Sequence, residues 1–378
     1  HMAEIMVEGP DAFDFLQGLA INSFANFDVN KAKQFVPCTH DGYVIGDVII
    51  FRLAEQQFLL VGRAPTINWV EFHAQTGGKS VTTERDDRSP SRPGGKPVMR
   101  KRYRYQVQGP NAPEILERVN GGPVPNIKFF NMGEITIAGR KVRALRHGMS
   151  GVPGLEIWGP YEEGDEIRDA LLEAGKDLGL TQVGSRAYAT NTLESGWIPS
   201  PLPAVYTGNG QQAYREWLPA AGYEATCSIG GSYIADSIED YYLTPWDLGY
   251  GPFVKFDHDF IGREALEKMA DKPHRRVNHA SLANCHVLET RGEVMPLRHE
   301  TYLKSWRACT NNEWTLTTPS MVLDIGVIGP FEEGFLNEEA SDRTFNIGVN
   351  ALQDQDAVQG IVNGDKNGLF VLDPTYAT

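Results

Sequence analysis

At 378 residues the chain is long enough for two or three domains of roughly 100–200 residues each, and 41% hydrophobic with 22% charged residues is an ordinary globular composition. A formal net charge of −14 repels phosphate backbones and anionic lipid, so it argues against nucleic-acid and membrane partners. The one basic cluster (Arg85, Arg88, Arg92, Lys96, Arg100, Lys101, Arg102, Arg104) is broken by Pro90, Pro93 and Pro97 and reads as a solvated connecting loop.

In chain order, the first element predicted is a short strand that ends in Gly9-Pro10 and leads into an amphipathic helix, with Asp11 as its N-cap (residues 6–16, MVEGPDAFDFL). Residues 42–53 (GYVIGDVIIFRL) are nearly all apolar after their glycines and predict a hairpin strand with a buried face. Residues 57–63 (QFLLVGR) predict another strand, followed by a helix over 66–74. Residues 83–97 form a Pro- and Arg-rich connector.

The opening pattern then returns. Residues 106–116 (QVQGPNAPEIL) repeat strand, Gly-Pro, Asn111 as N-cap and helix, 100 positions after the first copy. Residues 154–159 (GLEIWG) and a helix over 162–178 repeat the second pair. Two matches in the same order predict a duplicated α+β unit, with repeats near 1–82 and 98–180. Residues 199–250 are rich in Gly, Pro and aromatics, as in a segment wrapped around a ligand site; within them Gly208-Asn209-Gly210 is a turn signal. Residues 253–268 end in a helix. Beyond about 270 the pattern weakens to strand-like runs at 314–316, 321–328 and 369–372, which suggests a separate small β domain.

The cysteines (Cys38, Cys227, Cys285, Cys309) lie far apart without CxxC spacing, which argues against a zinc site or disulfide framework and fits a reducing, cytoplasmic compartment. No run approaches the roughly 18 apolar residues of a membrane helix. The histidines show no HExxH-like ligand spacing, so no metal is expected.

Several runs carry a family resemblance. Gly184-Ser185-Arg186-Ala187-Tyr188, then Leu193-Glu194-Ser195-Gly196-Trp197, then Phe260-Ile261-Gly262-Arg263-Glu264-Ala265-Leu266 resemble the folate-binding T-protein (aminomethyltransferase) superfamily. Five further runs resemble one branch: VGRAP (61–65), HAQTGG (73–78), DDRSPSRP (86–93), LRHGM (145–149) and YGPFVKFDHDFIGR (250–263). That branch is the tetrahydrofolate-dependent aryl O-demethylases acting on vanillate, syringate or 3-O-methylgallate. The resemblance spans roughly residues 1–268. It implies an α+β fold, with a duplicated folate-binding body over 1–269 and a small β-rich, barrel-like C-terminal domain over 270–378. The family pattern also extends N-terminal to the position of His1 with a segment carrying an active-site tyrosine, and the sequence at hand begins after it.

The resemblance also assigns roles. The pterin of folate presents an amide N–H and an amino group as a paired donor edge, which a carboxylate accepts with strong, directional bonds. Glu194 and Glu156 are the acids the motifs match to that contact; on the residues alone, one is equally a solvent-facing helix acid and the other a strand-end acid. Trp197, behind Gly196, could stack on pterin or substrate, or simply fill core. Gln106 is a further implied folate contact, or a strand-edge glutamine with no special role. Breaking an aryl ether releases a phenolate, and a tyrosine of pKa near 10 matches such a leaving group better than a carboxylic acid does. Tyr188 aligns with the family's catalytic tyrosine. Arg63 aligns with its substrate arginine, whose planar guanidinium suits a benzoate carboxylate; the plain alternative is a surface ion pair.

Where glycine-cleavage T-proteins carry a catalytic acid, this chain has Gly46, followed by Asp47 as a turn stabiliser; His147 and His258 read as structural. The expectation is a methyltransferase that O-demethylates a small methoxybenzoate and forms 5-methyltetrahydrofolate, with no metal, nucleic-acid or membrane partner. The alternatives are another methyl- or aminomethyltransferase of the superfamily, and a non-catalytic folate-binding protein.

Overall fold

The computed structural model describes residues 2–86, 100–148, 152–182, 201–231 and 236–274, with the short strands Asn278–His279, Ile325–Val327, Phe345–Ile347, Val358–Gly360 and Leu369–Asp373. Two copies of one β-α-β-β-β-α unit fill its first half. The first runs β1 (Ala3–Glu8), α1 (Ala12–Gln17), β2 (Ala32–Phe35), β3 (Val48–Ala54), β4 (Gln57–Gly62) and α2 (Ala64–Thr76), and is followed by β5 (Thr82–Asp86). The second runs β6 (Arg102–Gln108), α3 (Ala112–Asn120), β7 (Met132–Ile137), β8 (Arg140–Leu145), β9 (Gly154–Pro160) and α4 (Gly164–Ala174).

The sheets are ordered β2-β3-β4-β1-β5 and β7-β8-β9-β6, so each strand of the second has its counterpart in the first and only β5 is extra. Every pairing within these two sheets is antiparallel. The Gly-Pro turns are equivalent too: Gly9 and Gly109 have φ of 139° and 137°, values that L side chains rarely adopt. The expected caps follow at Asp11 and Asn111, but neither side chain caps its helix. Asp11 accepts the Ser80 amide instead, and Asn111 donates to the Leu178 carbonyl; each closes a longer loop onto the helix start.

Helices cover the outer face of each sheet. Ile5, Val7, Phe58 and Leu60 pack with Phe15, Leu16, Ile67 and Val70 in the first unit; Val107, Ile135, Val142 and Ile157 pack with Ile115, Leu116, Ile167 and Leu171 in the second. The inner faces meet each other. Met6, Ala32, Phe51, Leu59 and Val61 of one sheet form a cluster with Met132, Leu145 and Trp158 of the other. Burial on both faces explains why QFLLVG and its relatives are continuously apolar rather than alternating.

Further expectations change. The strand expected over 42–53 begins only at Val48; residues before it turn through an isolated Cys38–Val44 bridge, because the Val44 amide donates to the Leu243 carbonyl and the Val44 carbonyl accepts the Ala204 amide of the later segment. The connector at 83–97 starts as strand β5, paired with β1. The basic cluster is not a solvated loop where it is described. Arg100 is buried and Arg104 largely so, both paired with Glu4 and otherwise with Asp86 or Glu156, and Arg85 pairs with Glu71 at 2.6 Å. Buried carboxylates need counter-charges, and the strand leaving the connector supplies them. Arg88, Arg92 and Lys96 lie outside the described residues.

Residues 201–274 add α5 (Gln212–Trp217), α6 (Tyr223–Thr226) and α7 (Arg263–Met269). They pack Tyr214 against Trp69 and Phe72 of α2, and Tyr250, Val254, Phe260 and Leu266 against Ile21, Val36, Cys38 and Val44. Asp47 is no local turn former: it accepts Gln34 Nε2 at 2.5 Å and Tyr250 OH at 2.9 Å, tying the first sheet to this segment. Farther on, Ser228–Gly231 pairs with Leu369–Asp373, which pairs with Ile325–Val327, and that with Asn278–His279. The expected strand at 314–316 lies outside the described residues. No helix among the described residues is long and apolar enough to cross a membrane.

Candidate active site

Of the six residues singled out from the sequence, Tyr188, Glu194 and Trp197 lie outside the described residues. Gln106, Glu156 and Arg63 can be placed. Gln106 on β6 and Glu156 on β9 are register partners, so the two putting a side chain toward the same sheet face is a consequence of antiparallel pairing. Gln106 is exposed and its Nε2 donates to the His147 carbonyl at 2.9 Å.

Glu156 is buried, and its partner explains how. Arg104 Nη1 donates to Glu156 Oε1 at 2.5 Å, while Arg104 Nε donates to Glu4 Oε1 at 3.0 Å. Arg100 Nη2 and Arg102 Nη1 lie 3.7 and 3.6 Å from Glu4. Burial alone would push the Glu156 carboxyl up; Arg104, with His147 beside it, outweighs that and holds it down at about 2. Glu156 is therefore an anion at neutral pH. His147 Nδ1 stands 3.5 Å from Oε2 and has no hydrogen-bond partner among the described residues.

Arg63 leaves the same end of the first sheet. Gly62, the last residue of β4, pairs with Ala3, beside Glu4. Arg63 is then the N-cap of α2, with extended backbone (φ −84°, ψ 156°) enforced by the chain's turn into the helix. Its Nε is buried without a hydrogen-bond partner among the described residues. Where the later segment packs on α2, Asn68 Nδ2 donates to both oxygens of buried Glu224 at 2.8 and 3.0 Å, and Tyr206 OH donates to the Glu224 carbonyl at 2.6 Å. Burial pushes the Cys227 thiol up, against hydrogen bonds from Tyr206 and Tyr223 and the nearby positive charge of Arg63.

An open cavity of about 360 Å³ lies beyond Tyr242, but its walls carry Glu239, Asp240 and Asp247 against a single lysine, Lys272. Such a lining repels a carboxylate ligand. Among the described residues, no group of three or more His, Cys, Asp or Glu is placed to hold a metal ion.

Residues 1–200 match the GCVT N-terminal domain. The chain belongs to the glycine-cleavage T-protein family. It is 59% identical to syringate O-demethylase of Sphingobium sp. over 274 residues, covering 72% of this chain and 59% of that protein. It is 32% identical to an aminomethyltransferase of Caldanaerobacter subterraneus subsp. tengcongensis over 282 residues, covering 73% and 62%. It is also 30% identical to sesamin methylene transferase of Sinomonas sp. over 272 residues, covering 71% and 57%. The chain thus spans about three fifths of the length of the curated relatives it matches. The fold is that of the T-proteins, with mixed helix and sheet.

Within this T-protein chain, Gly46 packs closely: a Cβ there would come 2.7 Å from Thr66 Oγ1. Sequence reasoning missed Glu4 and Arg104. The signal was present, since an acid in an apolar strand (AEIMVE) and an arginine in its repeat (RYRYQVQ) occupy equivalent positions.

Proposed function

We propose that the chain O-demethylates a methoxybenzoate (vanillate, 3-O-methylgallate or syringate), with tetrahydrofolate as methyl acceptor. The products are 5-methyltetrahydrofolate and a phenolic or catecholic acid. The observation that carries this reading is the 59% identity to syringate O-demethylase over 274 residues, 72% of this chain.

The residues present fit the folate. Glu156 is an anion whose Oε2 accepts no hydrogen bond from a described residue, and Gln106 is an exposed amide directly across the ladder. That is a carboxylate and an amide side by side, suited to a pterin's donor edge. Bound tetrahydrofolate supplies N5 as the methyl acceptor. The protein's own part is binding and proton delivery. Arg63, with its unpaired buried Nε, holds the benzoate carboxylate. Tyr188, outside the described residues, donates the proton to the departing phenolate oxygen, and Glu194 and Trp197 complete the folate contacts, as the motif matches imply. Much of the rate then comes from holding methyl donor and acceptor in line.

Gly46 weighs against an aminomethyltransferase, since the chain lacks a carboxylate there and Thr66 occupies the space one would need. We further assign residues 1–269 to the folate-binding body, 270–378 to a β-rich, barrel-like domain, and the protein to the cytoplasm, the last supported by free Cys38 and Cys227. The test is incubation with tetrahydrofolate and, separately, vanillate, syringate and 3-O-methylgallate, following 5-methyltetrahydrofolate by chromatography, with Tyr188→Phe in parallel. Turnover that collapses in the variant supports the reaction and its acid. Binding of folate without turnover of any of the three would sink the demethylase reading.

A further inference from the structure

Arg104 divides its guanidinium between carboxylates from the two repeats. Nε donates to Glu4 on β1 and Nη1 to Glu156 on β9, and all three side chains are nearly withdrawn from solvent. The guanidinium carbon lies 5.2 Å from the Phe51 ring and 5.0 Å from the Trp158 ring, so aromatic faces from both sheets flank it. A guanidinium that met Glu156 in fork-to-fork fashion would occupy both carboxylate oxygens. Here Glu4 takes the second donor, and among the described residues only Oε1 of Glu156 accepts a hydrogen bond, with His147 Nδ1 3.5 Å from Oε2.

We propose that Arg104 is a positioning residue for folate recognition: anchored by Glu4 of the first repeat, it grips one oxygen of Glu156 and leaves the other as the acceptor for the pterin. The inference rests on the folate reading above and deepens it, because the acceptor becomes a product of the duplication. The groups that face Glu156 are Arg104 from β6 and His147 from the segment after β8, with Glu4 behind Arg104 and Arg100 and Arg102 against Glu4. Arg104 is the cation that keeps Glu156 ionised in a buried setting. Without it, burial favours the protonated acid, which no longer offers an unencumbered acceptor.

The experiment is calorimetric titration of the full chain with 5-methyltetrahydrofolate from pH 5.5 to 8.5. The wild type, Arg104→Gln, Arg104→Lys, Glu4→Gln and Glu156→Gln are compared, with circular dichroism as the check on folding. The expected result is a wild-type affinity that changes little with pH, and an Arg104→Gln affinity that falls by about tenfold or more as the pH drops from 8.5 to 5.5. Arg104→Lys restores the flat profile, Glu156→Gln is weak at every pH, and Glu4→Gln weakens binding several-fold without adding a pH dependence. An Arg104→Gln protein that binds like the wild type, or that loses affinity equally at every pH without rescue by lysine, overturns the inference and leaves the folate reading standing. Should Arg104→Gln not fold, wild-type affinity in Glu4→Gln overturns it instead. A wild type that binds no 5-methyltetrahydrofolate overturns both.

Discussion

Asn30 and Phe130, 100 positions apart, make the same hydrogen bond to each other's repeat: the Ala32 amide donates to the Phe130 carbonyl and the Met132 amide to the Asn30 carbonyl, each at 2.8 Å. Both residues hold left-handed backbone, φ 66° and 56°. The edge strands β2 and β7 thus close on each other around a pseudo-two-fold through the Lys31–Asn131 bridge. Asparagine tolerates that conformation and a β-branched residue does not. Asn30→Val is expected to cost about 1–2 kcal/mol and Asn30→Gly close to nothing, read by thermal or urea unfolding. Equal stability of the two variants would mean that the left-handed turn is not what the site demands.

Removing the carboxylate that pairs with Arg104 should be visible in acid. Glu156 is held at about 2 against an ordinary 4.5, so its ion pair contributes fully above about 4.5 and is lost as the pH falls through 2. The stability advantage of wild type over Glu156→Gln should therefore shrink between pH 4.5 and 2 and stay constant above. A constant gap across that window would contradict the buried pair.

His73 tests the opposite kind of group. Burial first, and the neighbouring His40 second, lower its pKa from 6.5 to about 4. The native state keeps it neutral while the unfolded chain takes up a proton, so stability is complete above pH 6.5 and declines down to about 4. His73→Phe should flatten the dependence of Tm on pH in that interval, and an unchanged slope would argue for a solvated ring.

Thr66 guards Gly46. Gly46→Asp is expected to destabilise by about 1–3 kcal/mol, since its Cβ meets Thr66 Oγ1, and Thr66→Ala in the same chain should recover part of the loss. Denaturant midpoints measure both. A stable Gly46→Asp single variant would show that the close approach does not constrain the position.

For Arg63 the expected signature is selective. Charge-assisted hydrogen bonds contribute roughly 1.5–3 kcal/mol, so Arg63→Met should lower kcat/KM for the methoxybenzoate by about 10–150-fold. Its affinity for 5-methyltetrahydrofolate should not move. Steady-state kinetics alongside titration separates the two, and a matching loss of folate affinity would remove Arg63 from the substrate side.

Much of the body was legible because duplication writes itself twice. Gly9-Pro10 and Gly109-Pro110 announced equivalent turns, and the apolar runs at 57–62 and 154–159 announced equivalent strands. Family motifs carried Arg63, Gln106 and Glu156 to their places in the sequence. The strand at 42–53 was overextended because glycine-flanked apolar residues bury equally well in a turn packed against a distant segment.

The sequence by itself determined the repeat, its β-α and β-α pairings, the acidic surface balance and the motif-matched residues, since these depend on local periodicity and spacing. Only the tertiary structure decided which sheet faces meet. That choice turned a seemingly solvated arginine cluster inward, because Glu4, Asp86 and Glu156 are brought together from strands far apart in sequence and cannot remain buried without opposite charge.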